Sequence, residues 1–425
     1  MKNFSLFIAL IFTITISAQD TYLHCGKLID TKNGKVLSNK TIVVSGKKIT
    51  AVNNGFTEAA NSDDIVIDLS NKTVMPGFID MHVHIEGETS PTRYLDRFTN
   101  NPADVAFTAA ALAHKTLLAG FTTVRDLGGS GVNVSLRNAI AKGKVSGPRI
   151  FAVEKAIGTT GGHADPTNGM SKKLMGDPGP AEGVINSPED ARKAVRQRYK
   201  NGADLIKITA TGGVLSVSKN GHNPQFTQEE VNEIVKTAKE YGMPVAAHAH
   251  GDEGMKRAIR AGVQTIEHGS LMSKETAALM KQYGTYLVPT LSAGRYVAEK
   301  ADVPNYYPEI IIPKIKMIDA ELRKTFAMVY KEGVNIAFGT DAGVFPHGEN
   351  AKEFKYMVET GWSPMFSIQS ATITNAKLLD MPNELGQIEA GFIADIVATD
   401  EDPTENISTT ENVAFVMKEG KIYKQ

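Results

Sequence analysis

Between residues 75 and 382 the sequence repeats one theme eight times: a short apolar run, then a longer stretch of helical pattern. The runs fall at 77–83, 120–125, 149–153, 203–209, 244–247, 264–267, 285–289 and 334–339. Helix-like text lies between them at 102–119, 187–201, 227–241, 273–283 and 318–332. Ser187-Pro188-Glu189-Asp190 and Thr227-Gln228-Glu229-Glu230 open two of these stretches with a capping residue followed by acids, which favour the N-terminal turn. Eight such units over roughly 250–300 residues match a (β/α)8 barrel. An open doubly wound sheet gives the same local text. The polar residues separate the two. His82 and His84 follow the first run, Lys207 lies in the fourth, His248 and His250 follow the fifth, His268 the sixth and Asp341 the eighth. In a closed barrel these strand ends converge on one mouth, whereas an open sheet spreads them across its width.

The rest of the 425-residue chain accommodates this barrel plus one appendage. Strand-like text at 21–29, 41–44, 48–52 and 65–69 returns at 395–398 and 413–417. Either end alone would leave edge strands open, so the two are expected to pair as a discontinuous β-sandwich formed by 19–74 and 383–425, around a barrel of 75–382. Met1-Lys2-Asn3, an apolar run from Phe4 to Ile16 and the small residue Ala18 before Gln19 read as an export signal cleaved near Ala18. A periplasmic or extracellular location follows, with no stable membrane span after cleavage.

Composition narrows the chemistry. The 46 Lys and Arg nearly balance 47 Asp and Glu, so no basic excess is available for nucleic acid. With one cysteine, Cys25, the chain cannot build a disulfide within itself or a cysteine metal cluster. Any metal has to be held by His, Asp, Glu or something less usual. His82 and His84, two apart on a strand, point to the same face and can clasp one ion. Asp341 can add an anionic oxygen, and His248 and His268 can serve a second ion. Lys207 is the anomalous residue, an ammonium among Leu205, Ile206 and Ile208. Burial would lower its pKa toward a neutral amine that can add carbon dioxide, giving a carbamate able to bridge two metals. The alternative is a lysine facing outward or paired with Asp204.

The segments 76–84 (PGFIDMHVH), 121–126 (FTTVRD), 203–207 (ADLIK), 247–250 (AHAH), 266–269 (IEHG) and 339–342 (GTDA) resemble the amidohydrolase superfamily. Residues 160–163 (TGGH), 211–216 (TGGVLS) and 345–348 (FPHG) are most similar to its prolidase-like branch, which holds Xaa-Pro dipeptidases and hydrolases of N-acyl amino acids. The resemblance covers nearly the whole chain after the signal. It implies two divalent metal ions, zinc by preference, with His82, His84 and Asp341 on one and His248 and His268 on the other. Carboxylated Lys207 and a hydroxide would bridge them. It further implies that Asp341 moves the proton, that His163 binds substrate or polarises its carbonyl, and that His250 lies just beyond the metals.

The expected activity is therefore hydrolysis of an amide beside a free carboxylate, in Xaa-Pro dipeptides or N-acyl amino acids. The loops 161–183 and 212–224 follow runs three and four, where they can close over substrate. His222 and His347 are weaker candidates on loops, while His24 and His114 read as structural or solvent-facing. Arg125, Arg295 and Tyr296 are candidate receptors for the substrate carboxylate. Two rivals stand beside this reading. One is an imidazolonepropionase- or deaminase-like hydrolase of cyclic amides or amidines, which places a catalytic Glu soon after the strand-five His. Here Asp252 and Glu253 come late. The other is a catalytically inactive barrel used as a scaffold. Oligomeric state is left open, and a homo-oligomer is compatible with the sequence.

Overall fold

A computed structural model describes residues 19–217 and 220–425; the expected export signal, 1–18, lies outside the described residues. Seven of the eight apolar runs form strands in two parallel arcs. Phe78–Val83, Phe121–Asp126 and Arg149–Ala152 make one. Ile206–Thr209, Val245–Ala249, Thr265–His268 and Tyr286–Val288 make the other. The eighth run is present as extended backbone bridged on both sides. Ile336 bridges Leu287, Ala342 bridges Val83, and Met81 N–H donates to Phe338 O at 3.0 Å. At the opposite seam Asp204 N–H donates to Ala152 O at 2.8 Å, and Ile157 bridges Ile208. Gly339 shows why the eighth run carries no bulk at its end. A Cβ there would lie 2.4 Å from Val288 Cγ1 and 3.0 Å from His82 N.

Helices cover the outside of the arcs with one apolar stripe each. In Gln228–Glu240 the buried residues Val231, Ile234, Thr237 and Ala238 recur at helical spacing. Thr227 accepts from Glu230 N–H while Glu230 reaches back to Thr227 N–H, a capping box of the kind worth about 1 kcal/mol. Ser187 caps Pro188–Lys200 by accepting from Asp190 N–H, without the reciprocal bond. The pattern at 318–332 belongs to a longer helix, Ile312–Lys331, whose start is not marked by a capping side chain. No helix among the described residues is long and apolar enough to cross a membrane.

Both chain ends join in one seven-stranded sheet, ordered Lys421–Lys424, Phe415–Lys418, Ile396–Thr399, Ile65–Pro76, Asp20–Asp30, Lys35–Ser45, Lys48–Asn54. The expected two-sheet sandwich is corrected to this single sheet. Ile65–Pro76 pairs with strands from both ends, in parallel with Asp20–Asp30 and antiparallel with Ile396–Thr399, so the hydrogen bonding never breaks into two layers. The sheet curls instead. Its register slips between Cys25 and Lys27, where Gly26 presses on the Ser70 carbonyl, and again between Val43 and Val44. The edge at Lys48 thereby meets Ile393, and Ile49 N–H donates to Phe392 O at 2.9 Å, covering a strand edge that would otherwise be open. Leu23, Ile42, Ile67, Leu69, Phe415 and Met417 fill the concave side. Ile65–Pro76 then runs through Gly77 directly into Phe78–Val83, and Arg149 ties the units further by pairing with Asp395 at 2.8 Å and Glu419 at 2.9 Å.

Candidate metal centre

His82, His84, His248 and His268 lie at, or just beyond, the C-terminal end of a parallel strand and Asp341 just beyond the eighth run, while Lys207 lies within Ile206–Thr209. His82 Nε2 is 3.4 Å and His84 Nε2 3.3 Å from Asp341 Oδ1. The other nitrogen of each ring is already occupied. His82 Nδ1 lies 2.9 Å from Glu267 Oε2, and His84 Nδ1 lies 2.8 Å from Gly128 O. His268 Nδ1 lies 2.7 Å from Thr290 Oγ1. In each case the outer nitrogen is fixed by the protein, which leaves Nε2 to face the cluster, the orientation a metal-ligating imidazole needs. His248 uses the opposite edge: its Nε2 lies 3.1 Å from Gly212 O, so Nδ1 is the free nitrogen.

Ligand-type atoms of His82, His268 and Asp341 lie within 4.8 Å of one another, as do those of His248, His250 and His268. His268 thus stands between the two groups. His250 is drawn closer than the sequence suggests, its ring stacked on His268 at 4.9 Å and its Nδ1 2.9 Å from Ser270 Oγ. The His248 and His268 rings are 4.7 Å apart. Burial and the neighbouring rings hold His248 and His268 well below the ordinary imidazole range, so both are neutral, as metal ligation requires. Burial raises the Asp341 carboxyl, but His82, His84 and Lys207 outweigh it and keep the group below its usual range. Asp341 Oδ1 is buried and, among the described residues, is approached by the His82 and His84 Nε2 atoms without a well-formed hydrogen bond. An orphaned carboxylate oxygen facing several imidazoles is a donor set suited to a divalent cation. His268, Thr290 and Asp341 all take positive φ, at 71°, 52° and 64°. Such conformations are uncommon for non-glycine residues, and three of the eight among the described residues lie at the cluster.

Lys207 is buried and does not pair with Asp204, which binds Arg137 at 2.5 Å instead. Burial lowers the Lys207 amine to about 8, against the pull of Glu267 and Asp341. Beneath it the strands hold a buried ion pair, Arg125 Nη2 to Glu267 Oε1 at 2.8 Å, with Arg125 Nε donating to Met81 O at 2.7 Å. Arg125 is therefore part of the support under His82 and is not a substrate receptor. Glu267 and Thr290 escaped sequence reading, although a charged pair placed in two otherwise apolar runs was a usable signal for the first.

His163 reaches the cluster from the loop after the third strand. Its ring centroid is 4.4 Å from that of His248, and its Nδ1 is buried without a partner. Gln225 holds its backbone N–H at 2.8 Å, and the ring lies so close to Gly213 that a Cβ there would meet it at 2.2 Å. Burial pushes the His163 imidazole down to about 3, so the ring is neutral at pH 7. His222 lies on the loop with its backbone N–H on Asn220 Oδ1 at 2.8 Å, and among the described residues no hydrogen bond joins it to the cluster. His347 is a buttress, bonded to Thr116 Oγ1 at 3.0 Å and to His84 O at 3.1 Å. His24 stacks on Phe56 and bonds Thr57 O, and His114 is exposed, both away from the cluster. Arg295 lies over Tyr356 and pairs with Glu359, while Tyr296 bonds Tyr306. Asp252 accepts from Ser273 N–H at 2.8 Å and Thr276 Oγ1 at 2.7 Å, and Glu253 binds Arg257, so neither acid is turned to the cluster.

Residues 73–423 match the model of the amidohydrolase family. The chain is 31% identical over 440 residues to ochratoxinase from Aspergillus niger, covering 98% of this chain and 89% of that protein. Among solved structures it is similar to a Xaa-Pro dipeptidase with methionine bound in its active site, at TM-score 0.93 and 52% identity over 96% of this chain and all of the other. A prolidase complexed with N-methylphosphonate-L-proline is similar at TM-score 0.87 and 32% identity, over 96% of this chain and 100% of the prolidase.

Proposed function

This chain belongs to the amidohydrolase family, and on that premise we propose that it is a binuclear, metal-dependent hydrolase of Xaa-Pro dipeptides or N-acyl amino acids. One observation carries the reading. The imidazoles of His82, His248 and His268, held neutral by burial and each fixed at one nitrogen by the protein, cluster with the Asp341 carboxylate within electrostatic reach of the buried, low-pKa Lys207. His82, His84 and Asp341 would hold one ion and His248 and His268 the other, with Lys207, carboxylated by carbon dioxide, as a further ligand. Zinc suits this nitrogen-rich set. Ions held there supply an activated water and polarise the scissile carbonyl.

The chain's own residues do the rest. Asp341 accepts the proton released on attack and returns it to the departing nitrogen, a role that needs a carboxylate charged at neutral pH. Neutral His163 presents an N–H to the developing oxyanion, where a fixed donor in a dry site acts most strongly. His250, held at Nδ1 by Ser270, orients the outer end of the substrate. The deaminase alternative lacks its acid, since Asp252 is bound to Ser273 and Thr276 at the start of the following helix and Glu253 to Arg257 of its own.

The same reading takes the two arcs as one closed eight-stranded barrel over 75–382, supported by hydrogen bonds at both seams. Residues 19–74 and 383–425 are then the second domain. Export with cleavage near Ala18 belongs to this proposal too, and exported protein beginning at Met1 would contradict it. The function is tested by assaying metal-loaded and chelator-treated protein against Xaa-Pro dipeptides and N-acyl amino acids. Metal-dependent release of the C-terminal residue is expected. Deamination of a heterocycle with no amide cleavage would overturn it.

A further inference from the structure

A substrate with a free carboxylate is held most strongly by a cation that is not already paired. Arg125 is bound to Glu267, Arg295 to Glu359 and the Tyr296 hydroxyl to that of Tyr306, so all three candidates seen in the sequence already have partners. Lys314 differs from them. It is only 6% exposed, and its Nζ donates to two uncharged acceptors, Gly213 O at 3.2 Å and Ser216 O at 2.6 Å. An ammonium carries three donors, so one is left over. Burial alone pushes Lys314 down to about 8, and no carboxylate among the described residues offsets it. Its position compounds the penalty. Lys314 lies in the first turn of Ile312–Lys331, the positive end of the helix dipole, and that turn contains no acid. A buried cation so placed is costly unless an anion arrives to complete it.

Its location says which anion. The Gly213 carbonyl that Lys314 binds belongs to the residue against which the His163 ring packs, and that ring lies 4.4 Å from His248. The Lys314 charge reaches both His163 and His250 and lowers their basicity. Val214, Leu215, Tyr307, Ile311 and Ile315 pack around this corner and keep it apolar, which strengthens any charge contact made there. We propose that Lys314 receives the free carboxylate of the substrate, and so sets the distance between that carboxylate and the amide to be cut. This rests on the hydrolase reading above. It also gives the preference for a terminal amino acid a physical source, since a proline nitrogen has no N–H to be recognised.

A lysine that merely pins the 213–216 loop would affect all ligands alike, so the test compares an acid with its amide. Binding of N-methylphosphonate-L-proline and of its C-terminal carboxamide, neither of which has the amide bond to be cut, is measured by calorimetry on metal-loaded wild type, Lys314→Gln and Lys314→Arg. The glutamine keeps neutral donors for the loop carbonyls, and the arginine keeps the charge. Wild type is expected to bind the acid about 10- to 100-fold more tightly than the amide, the range of one hydrogen bond to a charged group. Lys314→Gln should lose that preference by weakening the acid alone, with metal content unchanged, and Lys314→Arg should retain most of it. With Xaa-Pro substrates the loss should appear in KM more than in kcat. An acid preference that survives in Lys314→Gln, its absence from wild type, or equal weakening of acid and amide would each overturn the proposal. Acid-selective binding that requires Lys314 without turnover of any amide would remove the hydrolase reading and keep the receptor. Turnover without acid selectivity would do the reverse.

Discussion

Removing the charge of Glu267 should damage stability and metal retention together, and by separable routes. Glu267 is fully buried, bonded to Arg125 at 2.8 Å and to His82 Nδ1 at 2.9 Å. Burial works to raise its pKa, but Arg125 and His82 prevail and hold it at about 2, against an ordinary value of 4.5. A folded-state pKa depressed this far contributes about 3 kcal/mol, at about 1.4 kcal/mol per unit. The contribution is present above pH 4.5 and is lost as pH falls toward 2. Breaking a buried pair from one side costs about 3–5 kcal/mol, because the remaining Arg125 charge is stranded. Glu267→Gln should therefore lose about 3–5 kcal/mol in urea unfolding of metal-free protein, where metal binding adds nothing to the folded state. Its metal retention in a chelator competition should weaken about 10- to 100-fold, since His82 loses the anion that fixes its tautomer. The pair Arg125→Leu and Glu267→Leu together should recover much of the stability, with no stranded charge left, but none of the metal retention. Glu267→Gln within about 0.5 kcal/mol of wild type, or a double variant that regains metal retention, would refute the reasoning.

Three further outcomes are expected. Lys207→Ala should abolish activity, and short-chain carboxylic acids should restore part of it by supplying a bridging anion; an active variant would remove the bridging role. His163→Ala should lower kcat about 100- to 1,000-fold with metal content near normal, and a variant that instead empties the centre would show that the residue holds metal. Cys25, pushed up to about 12 by burial, should resist iodoacetamide until the terminal sheet unfolds; folded-state stability should also fall as pH rises above 9 toward 12, because only the unfolded thiol ionises there. Rapid alkylation of folded protein would contradict this.

The alternation of apolar runs and amphipathic helices depends only on local period and capping, so it was legible along the chain: Phe78–Val83, Gln228–Glu240 and the Thr227 cap fall where pattern alone put them. Placement of His82, His248, His268 and Asp341 at strand ends was legible for the same reason, because parallel strands carry their C-terminal ends to one side. What depended on partners distant in sequence was not. The terminal strands form one curled sheet because Ile65–Pro76 pairs on both sides, and register is a property of two strands, never of one. Arg125 had the composition of a substrate receptor until Glu267, 142 residues away, neutralised it. Lys314 had no sequence signal at all: a lysine early in a helix is ordinary on a surface. Only the packing of that helix against the 213–216 loop made it a buried cation beside His163, and desolvation, which no string of residues records, is what gives it something to bind.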